Sequence, residues 1–179
     1  DDDLEVARGW GVNADGTDTA TAGRLQRGDP RPTTTAAGRK QPETVPSGRF
    51  AFVTGTAAGT SAAANDLDGG RTSATSPVIN LPARAGQKLQ FRYLFAHDAT
   101  ARSVDELRVE VLDVDAATAT TAFVVRGAAV ERNAAWRLAS IDVSAWAGRT
   151  VRLRFSATDA GTNGIVEAGF DDVRVTQPQ

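Results

Sequence analysis

Cysteine and methionine are both missing from the 179-residue chain, and histidine occurs once, at His97. Without cysteine there is no thiolate metal site, cysteine nucleophile, iron–sulfur ligation or disulfide, so packing, sheet pairing or a hard cation must stabilise the fold. A single imidazole excludes a multi-histidine zinc centre and the two-histidine HExxH arrangement, and leaves one histidine to act as a base. No stretch approaches the ~20 uninterrupted apolar residues of a spanning helix. Charge of one sign is scarce too: 20 basic and 22 acidic residues leave a net charge of −2, which offers neither a nucleic-acid footprint nor a polybasic membrane anchor. The opening run Asp1–Asp3 has no leader pattern, so the expectation is a mature segment whose targeting sequence was removed or lies outside it.

What is present is strand-forming sequence punctuated by turns. Val151, Leu153, Phe155 and Ala157 alternate with Arg152, Arg154, Ser156 and Thr158, which predicts a strand with one buried and one wet face. Leu107, Val109 and Val111 alternate with Arg108 and Glu110, and Leu89, Phe91, Tyr93 and Phe95 with Gln90, Arg92 and Leu94. Further strands are expected at residues 49–54, 76–81, 121–126, 136–143 and 165–175, with an irregular edge strand at residues 5–12. No segment carries a sustained helical stripe. About eight strands separated by Gly, Pro and Asp turns predict an all-β fold, an antiparallel β-sandwich of jelly-roll type. Residues 1–179 read as a single domain, with a proline-rich surface loop around 30–48, where four of the seven prolines fall.

The sharpest chemical signal is Asp66-Leu67-Asp68-Gly69-Gly70, in which alternate carboxylates point into one turn while glycines permit tight backbone geometry. Calcium takes six to eight oxygen ligands, so other carboxylates would have to join; Asp171 and Asp172 beside the last strand, and Asp15 or Asp18 in an early polar turn, are candidates. The alternative is that these residues cap turns and solvate loops. Asp159 and Asn163 read as an independent polar loop. Catalytic readings are thin. Glu167, Asp171 and Asp172 offer a carboxylate pair, but glycoside hydrolysis needs controlled separation across a cleft. His97-Asp98 are chain neighbours that seldom face one another along a strand, and no GxSxG elbow, phosphate loop or GxGxxG motif occurs. Trp10, Trp136, Trp146 and Tyr93 are candidate sugar-stacking faces, although core packing is the favoured reading for each tryptophan. Arg27-Gly28-Asp29 has the form of an integrin-binding tripeptide and also of an ordinary turn.

Several ordered blocks together resemble accessory β-sandwich modules appended to secreted bacterial hydrolases, particularly zinc carboxypeptidases. The blocks are residues 18–30, Gln41-Pro42, Phe52-Val53-Thr54-Gly55, Asp66-Leu67-Asp68-Gly69-Gly70-Arg71-Thr72, Ser76-Pro77-Val78-Ile79-Asn80-Leu81, Trp136, Ile141-Asp142-Val143-Ser144, Val151-Arg152-Leu153-Arg154-Phe155 and Glu167-Ala168-Gly169-Phe170-Asp171-Asp172-Val173. The resemblance spans roughly residues 10–175. It implies a calcium-containing jelly roll, with Asp66, Asp68, Asp171 and Asp172 at the matching acidic positions. The chain departs from the pattern at Ala74, where a bulky aliphatic residue is common, and at Leu25, where Trp is common. The resemblance further implies a secreted or cell-surface bacterial protein whose catalytic domain lies elsewhere on the same polypeptide. This chain is then a non-catalytic module that binds glycan or extracellular protein, or alternatively a calcium-stabilised spacer supporting a neighbouring peptidase domain.

Overall fold

The computed structural model describes residues 1–161 and 164–177. Its strands are β1 (Gly11–Val12), β2 (Leu25–Gly28), β3 (Thr33–Thr35), β4 (Gly38–Gln41), β5 (Ala51–Thr54), β6 (Gly70–Thr75), β7 (Ile79–Asn80), β8 (Lys88–His97), β9 (Glu106–Asp113), β10 (Thr118–Arg126), β11 (Arg137–Asp142), β12 (Thr150–Asp159) and β13 (Val166–Thr176). One 3-10 turn, Ser144–Trp146, follows β11, and no helix among the described residues is long and apolar enough to cross a membrane. Two main sheets face each other. The first runs β1-β6-β12-β9-β10 with β7 also on β12, and the second runs β11-β8-β13-β5-β2. The pairings are antiparallel. The chain is thus the antiparallel β-sandwich of jelly-roll type that the alternation predicts.

Period two explains which side chains meet between the sheets. β9 alternates half-buried and buried residues throughout, and β12 does the same over its first half. Their inward residues Val109, Val111, Leu153 and Phe155 pack on Phe91, Phe52 and Phe170 from the second sheet. Phe155 and Phe170 stack at 4.0 Å, and Phe91 meets Phe155 edge-on at 5.0 Å, so aromatic surface joins the two sheets directly. A smaller cluster of Leu67, Phe95, Leu107, Ala157 and Val166 closes one end.

The stretch expected to be a proline-rich surface loop is only partly one. Thr33–Thr35 and Gly38–Gln41 form a hairpin that packs on β8 and β13. Pro32 and Pro42 flank the two strands, where a missing amide costs no ladder bond. This second covering layer explains why β13 is buried residue after residue from Val166 to Asp171, and why Leu94, expected on the wet face of its strand, is fully buried. Lys40 anchors the hairpin: its buried Nζ donates to the His97 carbonyl at 2.9 Å and to Asn133 Oδ1 at 3.2 Å, and pairs with Glu131.

Candidate functional site

The six aspartates proposed from sequence fall in three separate places. Asp15 and Asp18 lie beside β6. The Arg154 guanidinium donates to Asp15 at 2.6 Å and that of Arg71 at 3.3 Å, while Asp18 accepts from the Ser73 amide and hydroxyl, both at 2.7 Å. Burial opposes ionisation of Asp15, but hydrogen bonds from Thr17 and the two guanidinia outweigh it and lower its pKa. Asp171 and Asp172 sit where the β13 register shifts. Asp171 accepts from the Asp172 amide at 2.7 Å and the Ser47 amide at 3.3 Å, and Asp172 from the Ser47 hydroxyl at 2.7 Å. These four carboxylates tie loops to sheets.

Asp66 and Asp68 form the third place, at the end of the sandwich capped by the smaller core cluster. Gly23, at φ +59°, is positioned so that any side chain would run into the Asp66 carbonyl, which fixes the close approach of the two loops. Asp66 Oδ2 accepts from the Val166 amide at 3.2 Å, but its Oδ1 is buried with no partner among the described residues. Asp159 stands opposite Gly70 in the β12–β6 pairing, and its Oδ1 is also buried and has no partner among the described residues. Burial first, then the Asp68 and Asp159 charges, push Asp66 up to about 7. Burial, then Asp105 and Asp68, push Asp159 up to about 6. Asp105 accepts from the amides of Arg102, Ala160 and Gly161 at 2.7–3.1 Å. Among the described residues no three His, Asp or Glu side chains are grouped closely enough to constitute a metal centre by themselves. Sequence reasoning placed Asp159 in a separate loop with Asn163; Asn163 lies outside the described residues, and the approach of Asp159 to the Asp66 turn follows from strand register.

The other candidates are occupied by structural contacts. Buried His97 holds Nδ1 at 2.9 Å from the Asp98 carbonyl while Asp98 accepts from Thr100, so the two are not a base and its orienting acid. Desolvation lowers the His97 pKa. Glu167 lies beneath the β3–β4 hairpin, accepting from the Thr54 hydroxyl at 2.6 Å, and burial raises its pKa well above the carboxylate range. In the Arg27-Gly28-Asp29 tripeptide, Arg27 donates to the Leu4 carbonyl and covers the Phe50 ring, and Asp29 pairs with Arg49. Trp10 and Trp146 pack against the core, and the Trp136 indole donates to the Thr44 carbonyl. The tryptophans present no exposed aromatic row.

Two clefts lie elsewhere on the sandwich. One, of about 390 Å³, opens on the outer face of the first sheet and is lined by Gly11, Asp15, Thr75, Leu112, Arg152 and Arg154. Arg154 bridges Asp15 and Glu110 there, the latter at 2.8 Å, and Arg152 donates to the Ser76 carbonyl at 2.8 Å. This is a field of donors and acceptors fixed by one another. The other cleft, of about 360 Å³, enters between the sheets beside Trp10, Ile79, Leu153, Val173 and Val175, with Asp2 and Arg8 at its rim.

No protein-family model matches the chain, and no curated protein matches it. Solved structures do share its architecture. The K1 cleaved adhesin domain of Lys-gingipain from Porphyromonas gingivalis W83 superposes with a TM-score of 0.55 at 14% identity, over 100% of this chain and 97% of that one. The K2 cleaved adhesin domain of Lys-gingipain gives 0.54 at 14%, over 99% and 97%. A structure described for the promiscuous specificity of carbohydrate-binding modules of the β-sandwich superfamily gives 0.55 at 8%, over 98% of this chain and 61% of that one. At these identities the likeness is one of fold: the chain has the β-sandwich architecture found in adhesin and carbohydrate-binding modules.

Proposed function

We propose that this chain is a non-catalytic binding module that recognises a glycan at the Arg152–Arg154–Asp15 cleft on the outer face of the first sheet, within a secreted or cell-surface bacterial protein that carries a hydrolase domain such as a zinc carboxypeptidase. The observation that carries the reading is the preorganised network in that cleft. Guanidinium and carboxylate groups already fixed by one another offer in-plane donors and acceptors to sugar hydroxyls with little further loss of side-chain entropy. The fold's occurrence in adhesin and carbohydrate-binding modules agrees with it. Calorimetric titration with a panel of neutral oligosaccharides should give saturable binding, weakened about tenfold or more by Arg154→Ala through loss of charged hydrogen bonds, with the variant still folded by circular dichroism. No saturable binding across the panel rejects the glycan; saturable binding to extracellular proteins instead moves the reading to protein adhesion.

A second reading concerns the other end of the sandwich and rests on the two unpartnered buried oxygens of Asp66 and Asp159. Buried carboxylates brought together without a neutralising partner suit a hard divalent cation, and calcium accepts backbone carbonyls and water beside them. Asp66 and Asp159 are the side chains that would hold Ca²⁺ alongside backbone carbonyls and water, and its charge would pin the loop after β5 to the ends of β12 and β13 as a structural brace. Calcium at 100 times its dissociation constant adds about 2.7 kcal/mol. Chelation should therefore lower the melting temperature and Ca²⁺ restore it, with Asp66→Asn erasing the response and Asp171→Asn retaining it. A melting temperature indifferent to chelator and calcium overturns the brace.

A further inference from the structure

The sandwich has a second open seam, between the edge strands β10 and β11. There Tyr93 and Phe95 of β8, Val125 of β10, and Arg132 and Arg137 line a half-open recess of about 160 Å³. Its floor is aromatic: Tyr93 lies 5.0 Å from the Phe123 ring, and the Arg132 guanidinium stands 5.6 Å from the Phe95 centroid. Arg132 crosses the seam, its backbone paired with His97 and its guanidinium donating to the Arg126 carbonyl at 3.3 Å. Arg137 stands opposite Tyr93 in the β11–β8 pairing and is exposed.

Among the described residues neither guanidinium has a carboxylate partner. The nearby carboxylates are already engaged, Glu106 by Arg108 and Arg126 and Glu131 by Lys40. Two guanidinia free of carboxylates that flank one aromatic recess make it a place for an anion brought from outside. The recess is smaller than the ~300 Å³ at which pockets for whole drug-sized ligands begin; it suits one acidic residue of a larger chain. A carboxylate on a six-membered sugar ring supplies both halves of the match: its oxygens meet the guanidinium forks and the ring's C–H face covers Tyr93. An acidic peptide side chain has the carboxylate without the flat apolar face.

We propose that this seam is a binding site for a uronate residue of an acidic polysaccharide, distinct from the cleft on the outer face of the first sheet. The test titrates the full chain with trigalacturonate, with its carboxyl-reduced neutral counterpart and with triglutamate. Trigalacturonate should bind saturably, more weakly as salt rises, and at least about tenfold more tightly than either control. Arg137→Ala should weaken it by a similar factor, Arg137→Lys should recover part of the loss, and both variants should keep the wild-type melting temperature, since Arg137 is exposed. The titrations are repeated in the Arg154→Ala background, where the outer-face cleft is disabled, so that failure here and failure at that cleft are separable. Absence of saturable trigalacturonate binding, insensitivity to Arg137→Ala, or equal binding of triglutamate or the neutral sugar overturns the proposal.

Discussion

Asp171 ties the loop at Ser47 to the last strand. Its carboxyl is fully buried, holds the Asp172 and Ser47 amides, and lies near Asp172 and Glu5. Desolvation first, then the Asp172 and Glu5 charges, raise it from 3.8 to about 7. Because the folded pKa lies above the unfolded one, the native state binds the proton more tightly. The group's contribution is then fully present below about 4 and is lost as pH rises towards 7. Asp171→Asn keeps an acceptor for the Asp172 amide but cannot ionise. Relative to wild type it should gain on the order of 1–3 kcal/mol between pH 4.5 and pH 8, measured as the difference in urea midpoints at the two pH values. Parallel pH profiles for the two proteins would show that Asp171 ionises freely in the folded state.

At the level of elements, legibility depended on whether one face alone was buried. β9 and β12 declare themselves because Arg and Glu fill their outer positions while Leu, Val and Phe fill the inner ones. β6 lies between β1 and β12 in the middle of the first sheet, yet Gly70-Arg71-Thr72-Ser73-Ala74-Thr75 contains no large apolar residue, so no alternation marks it. Its inward contribution is Ala74, small because large rings from β12 and β13 fill the space. The β3–β4 hairpin escapes for a different reason: it buries the polar residues Lys40, whose partners come from distant segments, and Gln41, whose side chain bonds the Arg31 carbonyl just before β3. The carboxylate cluster divides along the same line. Asp66 and Asp68 are visible as a local turn, but Asp159 joins them through the pairing of Asp159 with Gly70, and tertiary register is not written in local periodicity. Arg132 and Arg137 left no signal, because an unpaired arginine is recognisable only once the positions of all carboxylates are known.

For the whole molecule, the decisive question is whether the two sheets stand or fall together, since the outer-face cleft belongs to the first sheet and most of the recess lining, Tyr93, Phe95 and Arg137, comes from the second. The aromatic contacts argue that they do. Phe155 of the first sheet is fully buried against Phe170, Phe91 and Trp10, and with no disulfide to hold the layers this packing must carry the cohesion. Phe155→Ala should cost about 3–5 kcal/mol, the transfer free energy of the ring plus the cavity it leaves. For a domain whose total stability is about 5–15 kcal/mol, that is a large fraction. By contrast Leu138→Ala, at a β11 position 49% exposed, should fall within about 0.5 kcal/mol of wild type. Urea unfolding followed by tryptophan fluorescence and by far-ultraviolet circular dichroism should give coincident transitions, both shifted to lower urea by Phe155→Ala. Separate transitions for the two probes would mean that the sheets unfold independently; a Phe155→Ala cost comparable to that of Leu138→Ala would mean that the aromatic stack does not hold the sandwich together.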